Sequence, residues 1–158
     1  AQRIVPLCRA LGAVSIINDR VDIALASGAD GVHVGQEDMA AARARAALGP
    51  DRLVGVSVHN VDEALAAQAA GADYLGVGAA FASHTKAEAR PLTREVIRAV
   101  TRAVRIPVVA IGGITAENIS ELSGCGLAGV AVVSALFAQP DAKAAAQRML
   151  ALSQALDG

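Results

Sequence analysis

Aromatic side chains are almost absent from this sequence. The chain has no tryptophan, one tyrosine and two phenylalanines among 158 residues, although 54% of its residues are hydrophobic. Alanine, valine, leucine and isoleucine must therefore fill the core. An aliphatic, β-branched interior is typical of a parallel sheet that is covered by helices. The length predicts a single domain over residues 1–158.

Charge of one sign, cysteine motifs and long apolar runs are missing as well. The formal net charge is -1, which predicts no nucleic-acid partner and no membrane surface. Cys8 and Cys125 stand in no metal-ligand spacing, and we expect them to be reduced thiols of a cytoplasmic protein. No apolar run approaches the roughly 20 residues of a membrane span, and we expect no signal peptide.

Short apolar segments alternate with alanine-rich segments along the whole chain. The alternation predicts strands at 14–18, 31–34, 53–58, 74–77, 107–111 and 129–133. It predicts helices at 1–11, 21–27, 39–48, 61–70, 93–104, 116–123 and 141–156. Strict alternation of strand and helix favours an all-parallel sheet.

Two α/β architectures accommodate six such units. A doubly wound, dinucleotide-binding sheet carries GxGxxG after its first strand, whereas Asn18, Asp19 and Arg20 follow the first predicted strand here. Polar residues follow nearly every predicted strand, where β/α barrels place their chemistry. A complete barrel typically needs about 250 residues. We therefore predict a TIM-type (β/α)8 barrel that lacks its first two β/α units and is N-terminally incomplete.

Two carboxylates follow the first two predicted strands. Asp19 and Asp38 stand at strand ends that are neighbours in a barrel, and close like charges raise each other's pKa unless a cation lies between them. Mg²⁺ typically takes one or two carboxylates plus phosphate oxygens. The pattern predicts a Mg²⁺ site, while a turn role for Asp19 and a helix N-cap role for Asp38 stay open. Glu37 is expected to be solvated.

Glycine and small residues end the last two predicted strands. Gly112 and Gly113 follow one strand, and Val133 and Ser134 end the next. Backbone amides near helix N-termini bind phosphate, and the loops after the last two barrel strands are a recurrent phosphate site. The alternative is that these glycines and small residues only form tight turns between strand and helix.

Further polar candidates lie at the same predicted edge. A polar loop over 82–91 holds Ser83, His84, Thr85 and Lys86, and Lys86 could neutralise a phosphate as a point charge. A solvated surface lysine remains the alternative, and the role of His84 is open. Ser57 and His59 end the third predicted strand. His33, inside the second, is expected to be a core or interlayer histidine.

Seven segments resemble the thiamine-phosphate synthase and thiazole tautomerase family. They run through essentially the whole chain in family-like order and spacing: INDR at 17–20, GADGVHVGQED at 28–38, GVSVHN at 55–60, GADYLGVG at 71–78, TK at 85–86, IPVVAIGGI at 106–114 and GVAVVSA at 129–135. Nothing here matches the family's Gln-x-Arg-x-Lys motif, which binds the diphosphate.

The resemblance implies a role for each matching residue. Lys86, Ser57 and His59 would be catalytic, and Asp19 and Asp38 would hold Mg²⁺. The residues implied in substrate binding are Asn18, Ser57, Ser83, His84, Thr85, Lys86, Gly113, Val133 and Ser134. Asn18, Ser57 and Lys86 would serve the pyrimidine diphosphate, and the glycine and serine strand ends would bind the thiazole phosphate.

The implied reaction is an alkyl transfer between two small molecules. Diphosphate leaves a hydroxymethylpyrimidine, the thiazole nitrogen attacks the same carbon, and thiamine phosphate forms. Two alternatives are a thiazole tautomerase-like isomerase and a non-catalytic phosphate-binding barrel remnant. Ala79 stands where the tautomerase carries a histidine, which argues against the isomerase. Two exposed sheet edges invite pairing, so we expect a homo-oligomer or a missing segment that closes them.

Overall fold

Six parallel strands form one sheet in this computed structural model, which describes residues 1–82 and 91–157. Their spatial order is their chain order, and every neighbouring pair is parallel. The strands are β1 (Ile16–Asn18), β2 (Gly31–Val34), β3 (Leu53–Val58), β4 (Tyr74–Gly78), β5 (Val108–Ile111) and β6 (Gly129–Ala131). A sequential order differs from the doubly wound orders, which reverse at a switch point. The predicted parallel α/β sheet is confirmed.

Helical segments alternate with the strands. The helices are α1 (Ile4–Ala10), α2 (Val21–Ser27), α3 (Ala41–Leu48), α4 (Val61–Ala69), α5 (Arg94–Ala103), α6 (Ser134–Phe137) and α7 (Ala142–Gln154). Two 3₁₀ turns lie at Ile119–Leu122 and Ala155–Asp157. In the described ranges no helix is long and apolar enough to cross a membrane.

Small residues let the helices lie close to the sheet. Ala24, Ala44 and Ala64 are fully buried at the contacts of their helices. Val32 and Val54, which are register partners on β2 and β3, are fully buried as well. Burial of a valine side chain contributes about 1.5–3 kcal/mol, so this aliphatic layer supplies the stability that aromatic residues supply in other cores.

Side-chain caps set several helix boundaries. Asn60 caps α4 by accepting a 2.9 Å hydrogen bond from the amide of Glu63. Gly28 ends α2 in the left-handed region at φ 67°, which glycine adopts without steric cost.

Several predicted elements differ from the structure, and one helix was not predicted. The helix predicted over 116–123 is only the 3₁₀ turn Ile119–Leu122. There Asn118 Oδ1 accepts from the amide of Thr115, and Thr115 Oγ1 accepts from that of Glu117. Such local bonds compete with helical ones. The strand predicted over 14–18 begins only at Ile16, and α6 was not predicted because four residues show no helical period.

Candidate active site at the carboxyl ends of the strands

The chain leaves β1 through a turn that presents Asn18 and Asp19. Asp19 adopts a left-handed backbone at φ 64°, which is uncommon outside glycine although aspartate is enriched there. Its amide donates a 2.7 Å hydrogen bond to the carbonyl of His33 on β2. Both Asn18 and Asp19 are exposed. The turn therefore holds an amide and a carboxylate at the end of β1.

Asp38 closes the turn after β2. Its Oδ2 accepts a 2.7 Å hydrogen bond from the amide of Gly35, and its side chain remains exposed. The alternative N-cap role for Asp38 is wrong, because α3 begins at Ala41 and its N-cap is Ala40, without a side-chain bond. The Gly35 bond fixes the carboxylate at the carboxyl end of β2 instead.

Both carboxylates influence the half-buried imidazole of His33. Burial lowers the pKa of His33, and the charges of Asp19 and Asp38 raise it in part. Among the described residues no group of three or more His, Cys, Asp or Glu side chains could hold a metal ion. Two exposed carboxylates nevertheless fit Mg²⁺, which takes one or two carboxylates and fills its shell with water or phosphate. The metal roles of Asp19 and Asp38 stay predictions.

His33 on β2 contacts one residue of β3 and one of β4. Its Nδ1 lies 3.0 Å from the hydroxyl of Tyr74, and its Nε2 lies 2.9 Å from Oγ of Ser57. Burial raises the pKa of Tyr74. The sequence predicted an interior histidine, and the half-buried ring of His33 on the sheet confirms it. It did not predict that Tyr74 would be a partner.

Glycine makes this arrangement possible. His33, Gly55 and Tyr74 are successive register partners across β2, β3 and β4, so they share one face of the sheet. A Cβ at Gly55 would stand 2.2 Å from Cζ of Tyr74 and 2.5 Å from Nδ1 of His33. The two rings therefore meet over a backbone that carries no side chain.

His59 turns toward the start of α4. Its backbone amide and its Nδ1 approach Oε2 of Glu63 at 2.8 Å and 2.9 Å. Burial raises the pKa of Glu63, but bonds from His59 and Asn60 lower it more, and the net direction is down. His59 is half exposed, two residues beyond Ser57 on the same strand end. Its proposed catalytic role stays a prediction.

Gln36 connects the turn after β2 to the end of β3. Its Nε2 donates a 2.6 Å hydrogen bond to the carbonyl of Ser57. The bond crosses 21 residues of sequence and fixes the backbone beside the Ser57 hydroxyl. The sequence alone does not predict this bond, because it depends on the position of β3 relative to the turn after β2.

The paired glycines after β5 allow a close approach of two loops. Gly112 and Gly113 have φ of 97° and 65°. A Cβ at Gly113 would stand 2.4 Å from the carbonyl oxygen of Ala82 and 2.6 Å from that of Phe81. Asn118 holds the turn by donating a 2.9 Å bond to the carbonyl of Gly113. The glycines are therefore required where the chain folds against the 79–82 segment.

Val133 and Ser134 begin the short helix α6. Val133 is the N-cap residue and is 65% exposed. Ser134 lines an open cavity of about 550 Å³ together with Thr115 and Arg148. The phosphate roles predicted for Gly113, Val133 and Ser134 stay predictions. Those for Ser83, His84, Thr85 and Lys86 do too, and these four residues lie outside the described residues.

The sequence matches a known family and several curated proteins. Residues 1–136 match the family described as thiamine monophosphate synthase. The chain is 53% identical over 135 residues to thiamine-phosphate synthase of Ruminiclostridium cellulolyticum, covering 85% of this chain and 64% of the relative. It is 48% identical over 153 residues to that of Chlorobium luteolum, covering 96% of this chain and 72% of the relative.

A solved structure agrees over nearly the whole chain. The thiamine phosphate pyrophosphorylase from Pyrococcus furiosus is 38% identical with a TM-score of 0.90, covering 99% of this chain and 75% of that one. The chain therefore spans about two thirds to three quarters of the length of these proteins. The sequence resemblance is confirmed: the chain belongs to the thiamine monophosphate synthase family.

Proposed function

We propose that this chain is a thiamine-phosphate synthase, a transferase that joins hydroxymethylpyrimidine diphosphate to thiazole phosphate and releases diphosphate. The observation that carries the proposal is the identity of about one half to relatives of that name. The polar residues at the carboxyl ends of β1, β2 and β3 support it, because β/α barrels use that edge for chemistry. The closed (β/α)8 barrel is part of the proposal, since six strands are described here.

The proposed reaction needs charge stabilisation rather than a protein nucleophile. The bond between the pyrimidine methylene carbon and the diphosphate oxygen breaks, and the electron pair leaves with diphosphate. The thiazole nitrogen supplies the pair for the new carbon–nitrogen bond. Preorganised cations and hydrogen-bond donors aimed at the developing charge lower such a barrier most.

The chain's own residues divide that work between them. Asp19 and Asp38 would hold Mg²⁺, which when bound neutralises part of the diphosphate charge. Lys86 would add a second positive charge, and Asn18 would donate to the diphosphate. Ser57 would orient the pyrimidine. Holding the two substrates in attack geometry converts a bimolecular step into an effectively unimolecular one.

The thiazole phosphate would occupy the other half of the site. Gly113, Val133 and Ser134 would bind it through backbone amides and a hydroxyl, and Ser83, His84 and Thr85 would line its pocket. His59 would lie beside the pyrimidine. A homo-oligomer and a cytoplasmic location complete the proposal, with the two small molecules as the only other partners and no nucleic acid.

The tautomerase-like isomerase and the non-catalytic remnant are not favoured. The two curated relatives given above are named as synthases. Asn18, Asp19 and Asp38 are present and fit a diphosphate and its metal, whereas neither alternative needs a metal site.

Turnover by the full chain tests the proposal. Both substrates are supplied with and without Mg²⁺, and thiamine phosphate and diphosphate are quantified. We expect the Asp38→Ala rate to fall at least tenfold, because one carboxylate ligand is lost. Glu37→Gln is the matched control, since it removes the adjacent exposed carboxylate. Equal rates for Asp38→Ala and Glu37→Gln would remove the metal role. Binding of thiazole phosphate with no product under any condition would favour the remnant.

A further inference from the structure

The row of His33, Ser57 and Tyr74 is a hydrogen-bonded chain with two ends. Tyr74 lies at one end, 3.0 Å from Nδ1 of His33, and Ser57 lies at the other, 2.9 Å from Nε2. All three side chains are half-buried. Gly55 leaves the room for both rings. The contact between His33 and Tyr74 therefore depends on the missing side chain at this position of β3.

The chemistry of the three groups determines which group donates and which accepts in each of the two hydrogen bonds. A neutral imidazole has one nitrogen that donates and one that accepts. The phenol of Tyr74 is a much stronger acid than the aliphatic hydroxyl of Ser57, so it is the better donor. Tyr74 therefore donates to Nδ1, Nε2 carries the proton of His33, and Ser57 accepts. The hydroxyl hydrogen of Ser57 then takes no part in these two hydrogen bonds.

That hydrogen is free to be donated to another acceptor. The carbonyl of Ser57 is held by Gln36, and its Oγ is held by His33, so both the backbone and the side-chain oxygen of Ser57 are fixed. The O–H bond of Ser57 can therefore point only in directions that do not conflict with the hydrogen bond that Oγ accepts from His33. A serine held in this way presents a donor and discriminates against a substrate group that also donates.

We propose that His33 is a positioning residue, whose tautomer is set by Tyr74 and which makes Ser57 a committed hydrogen-bond donor to an acceptor atom of the substrate, such as a pyrimidine ring nitrogen. The substrate part rests on the proposed function. The tautomer part does not, because it concerns the free protein alone.

The tautomer is measured directly on the full chain in the absence of substrate. Long-range ¹H–¹⁵N correlation spectra distinguish a protonated from an unprotonated imidazole nitrogen, and the chain has three histidines, of which His33→Gln identifies the relevant signals. We expect the proton of His33 on Nε2. Tyr74→Phe removes the donor, and we expect the Nδ1 shift to change and the mixture of tautomers to increase. A proton on Nδ1 in the unaltered chain overturns the proposal, whatever the activity.

A double-mutant cycle tests the action through Ser57. One hydrogen bond contributes about 0.5–1.5 kcal/mol, or roughly twofold to twelvefold in binding. We expect Tyr74→Phe to raise the KM for the pyrimidine diphosphate within that range, with the KM for thiazole phosphate unchanged. In a Ser57→Ala background the same change should have no further effect, because coupled residues are non-additive. Equal effects of Tyr74→Phe in both backgrounds would show that Tyr74 acts otherwise than through Ser57.

Discussion

Asp73 Oδ2, on the segment before β4, accepts a 2.7 Å hydrogen bond from the amide of Val54 on β3. Arg45 of α3 pairs with the same oxygen and also donates to the carbonyls of Gly49 at 2.8 Å and Arg52 at 2.6 Å. One guanidinium therefore joins a helix, the end of that helix and two strands at the amino-terminal edge of the sheet. Residues at this edge of a β/α barrel serve stability rather than chemistry.

Removal of this guanidinium should destabilise the fold without altering the chemistry. Arg45→Ala leaves the partly buried carbonyls of Gly49 and Arg52 without this donor, at about 1–3 kcal/mol for unsatisfied groups, and removes the cation that pairs with Asp73. We expect a loss of about 2–3 kcal/mol in the free energy of unfolding, measured by urea denaturation. Arg43→Ala on the exposed face of α3 is the matched control and should cost under about 0.5 kcal/mol. Similar losses for the two variants would contradict the structural role of Arg45.

A second aspartate of the same kind makes stability depend on pH. Asp30 Oδ2 accepts from the amide and from Oγ of Ser15, each at 2.7 Å. These bonds lower the pKa of Asp30 below its ordinary value of 3.8. A carboxyl whose pKa is lowered by folding stabilises the protein above its unfolded pKa, and this contribution is lost as the pH falls through the lowered value.

The expected outcome is a difference that disappears in acid. Asp30→Asn should have a lower melting temperature than the unaltered chain at pH 7, and the two values should converge as the pH falls below about 4. Asp22→Asn serves as a control for loss of an exposed charge with a lowered pKa, because Asp22 pairs with exposed Arg20. We expect this substitution to change the melting temperature less. A gap between Asp30→Asn and the unaltered chain that stays constant down to pH 2 would refute the linkage.

Two glycines with nearly equal φ angles allow the cost of a left-handed backbone to be distinguished from the cost of a steric clash. Gly113 and Gly12 have φ of 65° and 68°. A Cβ at Gly12 meets nothing within 4 Å, whereas a Cβ at Gly113 meets two carbonyl oxygens within 2.6 Å. Gly12→Ala should cost about 1–2 kcal/mol from the left-handed backbone alone. Gly113→Ala should cost at least about 1 kcal/mol more, because the 79–82 segment must move.

The same pair probes the proposed phosphate site. Binding of thiazole phosphate is measured by calorimetry on both variants at a temperature where both are folded. We expect Gly113→Ala to weaken binding at least tenfold and Gly12→Ala to leave it unchanged, because Gly12 lies at the end of α1. Unchanged affinity in Gly113→Ala would place the phosphate elsewhere.

Local patterns predicted the elements whose boundaries depend on neighbours in sequence. The strands Gly31–Val34 and Leu53–Val58 and the helix Val21–Ser27 have the predicted bounds, because an apolar run or a glycine cap marks each end. The 3₁₀ turn at Ile119–Leu122 was predicted as a longer helix, since Thr115 resembles a helix cap. In the structure Asn118 Oδ1 accepts from the amide of Thr115 and Thr115 Oγ1 accepts from the amide of Glu117.

Long-range contacts could not be predicted in the same way. The sequence shows the repeated GAD segment, but its aspartates, Asp30 and Asp73, accept from amides that lie 15 and 19 residues away. The Tyr74 partner of His33 is 41 residues distant. Each contact depends on the register of two neighbouring strands, which is a property of the folded sheet. The strand-end rule of parallel sheets could place Asn18, Asp19, Asp38 and Ser57 at one edge, but it could not give the bonds among them.

The outer strands of the sheet provide the last prediction. In the described residues β1 pairs with β2 alone and β6 with β5 alone. Unpaired strand edges invite association with another chain. Leu7, Leu11 and Val14, ahead of β1, are 56%, 74% and 62% exposed. Exposed apolar side chains near an unpaired strand edge favour association further.

We expect light scattering coupled to size exclusion to give a mass above the 15.9 kDa of one chain. Leu7→Lys and Leu11→Lys together should lower that mass, because both place charge on the apolar surface. Ala42→Lys, on exposed α3, is the control. A stable monomer in which both outer strands remain unpaired would contradict the expectation.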